Sequence, residues 1–157
     1  MEEWNFQVKN KPEEISKKLE TSLGNVDKFV LNMNSDKSNI VKFKLRKRLL
    51  LPFEINTQNN IIVNGRIFKT NTENDTDIEV YFTQHPLSKL LIYGHIALGL
   101  GFLVGMFLKI SSNSYMYLIG GILLAIGVLF KLHYQKDFRK NVQEYKTLIS
   151  GILDIKN

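Results

Sequence analysis

The residue types that could do chemistry in this sequence are few: three histidines, His85, His95 and His133, and the acidic-polar run "NTENDTDIE" from Asn71 to Glu79. Imidazoles and carboxylates bind metals and move protons, but the spacing here serves neither purpose. The histidines lack ligand spacing, so no metal is expected. The acidic run lacks the glycine and the terminal glutamate of a calcium loop and reads as a hairpin turn leading into a polar strand face. Gly99-Leu100-Gly101-Phe102-Leu103-Val104-Gly105 looks like a nucleotide loop. A dinucleotide fingerprint, however, needs a preceding strand, a following helix and water around the pyrophosphate, whereas these glycines lie inside an unbroken apolar run. There is no P-loop, G-x-S-x-G, H-E-x-x-H or evident carboxylate pair. The chain has no cysteine, which excludes disulfides, thiol catalysis, cysteine-ligated zinc and iron–sulfur clusters. Neither an enzyme nor a cofactor is expected.

The elements around these residues are more informative. The mean hydropathy of −0.11 describes an ordinary soluble protein, but it averages unlike parts. Residues 1–86 carry 13 Lys+Arg against 12 Asp+Glu, while residues 87–133 carry only Lys89, Lys109 and Lys131 and no acid. From Leu90 to Leu108 no side chain is formally charged, and "YMYLIGGILLAIGVLF" from Tyr115 to Phe130 is equally apolar. Nineteen helical residues rise about 28 Å, close to the roughly 30 Å of a bilayer's hydrocarbon. A core helix would show a polar stripe; here every face is apolar. The sequence therefore predicts a transmembrane helical hairpin over 87–133, with spans at about 89–109 and 114–132 joined by a Ser/Asn loop.

Tyr93, Tyr115, Tyr117 and Tyr134 fall near the span ends, where amphipathic rings favour the interface. Lys109 is the one cation at the loop end. Lys89, Lys131, Lys136, Arg139 and Lys140 lie at the other end, so the positive-inside rule predicts a multi-pass protein of the cytoplasmic (inner) membrane with both termini in the cytoplasm. The first twenty residues are strongly polar, so no cleavable signal is expected at this start. Ala97, Gly101 and Gly105 form a small-xxx-small face. Folding the hairpin about its loop pairs residue i with about 225 − i, given a tight helix–helix connection. That brings this face against Gly120, Gly121, Leu124, Ala125, Gly127 and Val128 as the expected helix-packing seam. His95 lies about one and a half turns into the first span and is a candidate intramembrane polar site; its plainer reading is a neutral imidazole hydrogen-bonded to the neighbouring helix.

Residues 1–86 read as a cytoplasmic α+β domain. Trp4, Phe6 and Val8 alternate with polar residues as in a half-buried strand. Pro12, Glu13 and Glu14 open a helix whose Ile15, Leu19 and Leu23 share one face, and Gly24 can close it. Strands follow at about 28–33, 39–47, 49–55, 61–69 and 77–83, separated by turn-rich segments. The fold class is thus α+β: an antiparallel sheet with one helix packed on it, then the hairpin, then an amphipathic C-terminal helix over 134–157. On that last helix Phe138, Val142, Tyr145, Ile149 and Ile152 recur at coiled-coil spacing. The stripe is suited to a protein partner or a homo-oligomer, or to covering the chain's own sheet.

"KFKLRKRLLLPF" offers Lys42, Lys44, Arg46, Lys47 and Arg48 as a candidate contact for anionic lipid, against the plainer reading of a solvated strand face. Nucleic acid is not expected, because the domain is nearly neutral and has no aromatic stacking platform. The segment from Phe53 to Phe107 contains Asn64-Gly65-Arg66-Ile67, Thr76-Asp77-Ile78-Glu79-Val80, and His85-Pro86 leading into a span. It resembles uncharacterised bacterial two-pass membrane proteins in which a small β-rich region precedes a helical hairpin. That resemblance implies an architecture and no activity. Bacterial pleckstrin-like membrane domains are similar in parts but place their spans before the sheet. The functions this leaves are a non-enzymatic membrane protein whose cytoplasmic domain binds a partner or assembles a complex, an anionic-lipid-binding module, or a small subunit of an oligomeric channel or transporter.

Overall fold

The computed structural model describes residues 1–24, 29–35, 40–47, 61–70, 75–109 and 113–155. The strand expected at about 49–55, and Arg48, lie outside the described residues. Eight elements follow one another: β1 (Glu2–Val8), α1 (Pro12–Gly24), β2 (Phe29–Ser35), β3 (Val41–Lys47), β4 (Ile61–Lys69), β5 (Thr76–Gln84), α2 (Pro86–Phe107) and α3 (Tyr115–Leu153). They form two compact units. One contains Met1–His85 together with Lys140–Asn157, the other Pro86–Arg139. The C-terminal segment from residue 134 is part of α3, and from Lys140 onward it belongs with the sheet, the placement in which its stripe covers the chain's own strands.

In the first unit the five strands are ordered β1-β5-β4-β3-β2, every pair antiparallel. β2-β3-β4-β5 form an antiparallel meander, as the turn spacing predicts in kind, but β3 pairs directly with β4; β1 joins the sheet beside β5. Strand alternation sorts the side chains into two faces. Phe43, Leu45, Ile61, Val63, Ile67, Ile78, Val80 and Phe82 are buried on one of them. α1 lays Ile15, Leu19 and Leu23 into this core. Asn10 Nδ2 donates to Glu14 at the start of the helix, and the Thr76 hydroxyl on β5 donates to the Asn10 carbonyl at 2.5 Å.

The end of α3 completes the core. Val142, Tyr145, Ile149 and Leu153 are buried, at the 3-4-4 spacing of a helix face. The Tyr145 ring meets Phe29 of β2 edge-on at 5.8 Å. Lys146 pairs with Glu2 at 2.8 Å with its ammonium over Trp4, Glu144 pairs with Lys47 at 2.9 Å, and Asp154 pairs with Lys18 of α1. Such partly exposed pairs add little energy each, but they fix the helix in register on the sheet.

The second unit holds the 22-residue α2 and the first part, Tyr115 to Arg139, of the 39-residue α3. Both are long and apolar enough to cross a membrane, with mean hydropathy 2.0 over their most apolar stretches and only 17% and 11% of those stretches buried. Phe107 is 82% exposed, Leu90 68% and Leu129 65%, so these helices are not packed as the core of this chain. Lys109 closes α2 in the left-handed region at φ 57, and its N–H bonds the Met106 carbonyl. The Asn113 side chain accepts from the Tyr115 N–H at 3.1 Å and caps α3. Lys109 thus ends one helix and Asn113 starts the next.

The hairpin seam differs from the expected one. Gly120 and Gly127 lie in it, but their counterpart on α2 is Gly99. A Cβ on Gly99 would come within 2.8 Å of the Leu124 nitrogen and 2.9 Å of the Gly120 oxygen. Gly101, Gly105 and Gly121 have open space beside them, and Ala97 and Ala125 are exposed. Gly99 and Gly101 are two residues apart, roughly 200° around the helix, so the contact uses nearly the opposite face. Size explains the choice. On α3 the glycine notches receive bulky side chains: Ile96 lies against Gly127, and Phe102 and Leu103 against Gly120. Large-into-small packing fills volume that a meeting of small faces would leave empty.

Candidate functional site

α1 and the end of α3 cover one face of the sheet, and the other face carries the functional candidates. Pairing registers place its side chains in rows across the strands. One row reads Asn34, Lys42, Arg66, Glu79, Asn5; the next reads Asn32, Lys44, Asn64, Tyr81, Glu3. Beyond them Phe68, Asp77 and Gln7 form a third row, and Ile62 and Thr83 pair at the other end. Cations therefore stand on β3 and β4, and carboxylates on β5 and β1. The face is divided by charge along a line between β4 and β5.

Two shallow depressions mark the division. The first, about 500 Å³, is lined by Asn32, Lys42, Lys44, Asn64, Arg66 and Tyr81 among others. The second, about 410 Å³, is lined by Asn5, Gln7, Phe68, Asp77 and Glu79. Tyr81 bridges them. Its hydroxyl donates to Glu79 Oε2 at 3.0 Å, and this bond, then burial and the nearby Glu3 and Glu79 carboxylates, raises its pKa, with Arg66 opposing. Among the described residues Lys44, Arg46, Arg66, Asp77 and Glu79 make no ion pair, although Arg66 and Glu79 sit directly across from one another. These charges remain available to a partner.

Of the basic residues singled out in the sequence, Lys42, Lys44 and Arg46 are exposed on this face. Lys47 points to the other side and is engaged by Glu144, because consecutive strand residues alternate. Arg48 lies outside the described residues. His85, just before α2, has its pKa lowered by burial first and then by the Arg46 and Lys44 charges. Arg66, Asn64, Asn32 and Asn34 are not among the candidate lipid contacts of the sequence; the strand order alone brings them beside Lys42 and Lys44.

The remaining candidates have local roles. His95 Nδ1 lies 2.7 Å from the Leu91 carbonyl of its own helix, and its ring meets Phe130 edge-on at 5.5 Å. The imidazole thus bonds within α2, not across to the neighbouring helix. His133 pairs with Asp137 at 3.2 Å. Among the described residues no three His, Cys, Asp or Glu side chains are grouped to hold a metal ion. Of the C-terminal stripe, Val142, Tyr145 and Ile149 are buried under the chain's own sheet, while Phe138 and Ile152 are half-buried.

No family model, curated protein or solved structure matches this chain.

Proposed function

We propose that this chain is a non-enzymatic membrane-anchored binding protein. In this reading the helical hairpin inserts in the cytoplasmic membrane, both termini lie in the cytoplasm, and the open face of the sheet docks a protein partner. Two uncovered apolar helices support the anchor. Lys89, Lys131, Lys136, Arg139 and Lys140 at one end against Lys109 at the other support the orientation.

The observation that carries the binding reading is the division of the open face. It holds exposed cations on β3 and β4 and carboxylates on β5 and β1, beside two depressions, with unpaired charges on both sides of the line. Complementary charge selects a partner and its orientation. A photo-crosslinker at position 64 in the full-length chain, activated in intact membranes, tests this. Protein adducts are expected, and their loss with Arg66→Glu. An adduct pattern that Arg66→Glu leaves unchanged would count against the face.

A second reading rests on Lys44 and Arg46, exposed beside His85 one residue before α2. Cations beside the residue that leads into a span could engage anionic headgroups. Under that reading the same crosslinker yields lipid adducts alone, and their yield rises with anionic lipid when the full chain is placed in nanodiscs.

A further inference from the structure

The open face is complementary to itself. We infer that its partner is a second copy of this chain, docked face to face about a two-fold axis that runs parallel to the strands between β4 and β5. The inference rests on the binding reading of the same face and names the occupant.

The axis follows from the rows. Two sheets packed face to face lie about 10 Å apart. Rotation about a strand-parallel axis keeps every residue in its row and exchanges β4 with β5 and β3 with β1. Arg66 then faces Glu79 of the second copy, Lys44 faces Glu3, Lys42 faces Asn5, and Asn64 faces Tyr81. Two-fold symmetry makes each contact twice, so the Arg66–Glu79 and Lys44–Glu3 contacts give four cation–carboxylate pairs, from charges that make no ion pair among the described residues. An axis running across the strands instead sets β3 over β3 and β5 over β5, opposing like charges.

Chain connectivity selects the same axis independently. β5 ends at Gln84 and α2 begins at Pro86. A strand-parallel axis leaves both copies' β5 strands running in the same direction, so both can enter one membrane from the same side. The across-strand axis sends the two exits in opposite directions.

Area sets the strength. The axis leaves β2 without a counterpart, so four strands spaced about 4.8 Å apart, each with about seven residues rising about 3.3 Å, cover roughly 440 Å² per copy. The pair buries about 900 Å², the size of a transient contact and below that of a standard stable interface. The dimer is therefore reversible and salt-sensitive, favoured by confinement of both copies to one membrane plane.

The chain has no cysteine, so introduced thiols report cleanly. Differently tagged Lys44→Cys and Glu3→Cys full-length chains are co-expressed and treated in membranes with a bis-maleimide spanning about 10 Å. The expected product is the mixed adduct, because the two positions face each other about 10 Å apart while two copies of position 44 stand about 17 Å apart. Lys44→Glu, read by a Glu79→Cys and Arg66→Cys pair, is expected to lower dimer formation about tenfold, and Lys44→Glu with Glu3→Lys to restore it. Within one chain residues 44 and 3 are separated by β4 and β5, so rescue reports contact between copies. A dominant 44–44 adduct, or no adduct, overturns the dimer. If the position-64 crosslinker still captures another protein in an Arg66-dependent way, the binding reading survives and only the self-partner falls; lipid adducts alone remove both.

Discussion

The Phe43 ring covers Gly65, its cross-strand partner on β4, so closely that a Cβ at position 65 would fall inside the ring's envelope. The pair sits mid-sheet in the row that continues to Val80 and Trp4. Glycine is weak in a strand because it packs no side chain; here the aromatic ring supplies the missing cover. Gly65→Val should destabilise the sheet unit by about 2–3 kcal/mol through overpacking, measured by denaturant titration in mild detergent. Adding Phe43→Leu should recover part of that loss, which a purely conformational effect of glycine would not permit.

The end of α3 should be indispensable to the sheet. Val142, Tyr145, Ile149 and Leu153 are buried, each worth about 1.5–3 kcal/mol, a sum comparable to the whole stability of a small domain. A chain truncated after Arg139 should keep its hairpin but expose its sheet unit to protease. Resistance equal to that of the full chain would remove α3 from the core.

Tyr145 should make the fold sensitive to alkali. Burial holds its phenol protonated well beyond the usual range, the Glu144 charge adds to this, and a backbone hydrogen bond with Lys47 opposes it. An unfolded tyrosine ionises near pH 10. The stability conferred by neutral Tyr145 is therefore whole below about pH 10 and is lost progressively as pH climbs from there towards the folded pKa. Tyr145→Phe should cost about 1 kcal/mol at neutral pH and flatten the alkaline limb of a stability-against-pH curve.

In the hairpin, Gly99→Ile and Gly127→Leu should prevent close packing, while Gly101→Ile should be tolerated because the space beside it is open. Accumulation of each variant in membranes, and its resistance to protease there, separates the two groups.

Periodicity made much of this legible in advance. The Ile15-Leu19-Leu23 face, the alternation of Trp4, Phe6 and Val8, and the apolar length of both long helices are local properties, and each element forms where its pattern lies. Relations between elements were not legible. Spacing alone could not distinguish Gly99 from Gly101 as the seam residue, because which face is used depends on Ile96, Phe102 and Leu103 of the same helix filling the notches at Gly127 and Gly120. The charge-divided face was hidden for a similar reason. Alternation showed that Lys42 and Lys44 share a side, but only the order β1-β5-β4-β3-β2 puts Arg66 beside them and gathers Glu3, Asp77 and Glu79 on the other half.

A charged head held at the inner surface of the cytoplasmic membrane by two helices is tested most directly with single thiols in whole cells. Ser114→Cys sits in the exposed turn before α3, and Lys44→Cys on the open face of the sheet. A membrane-impermeant maleimide should label position 114 in intact cells and position 44 only after permeabilisation. Labelling of 44 with protection of 114, or recovery of the full chain in a detergent-free high-speed supernatant, would contradict it.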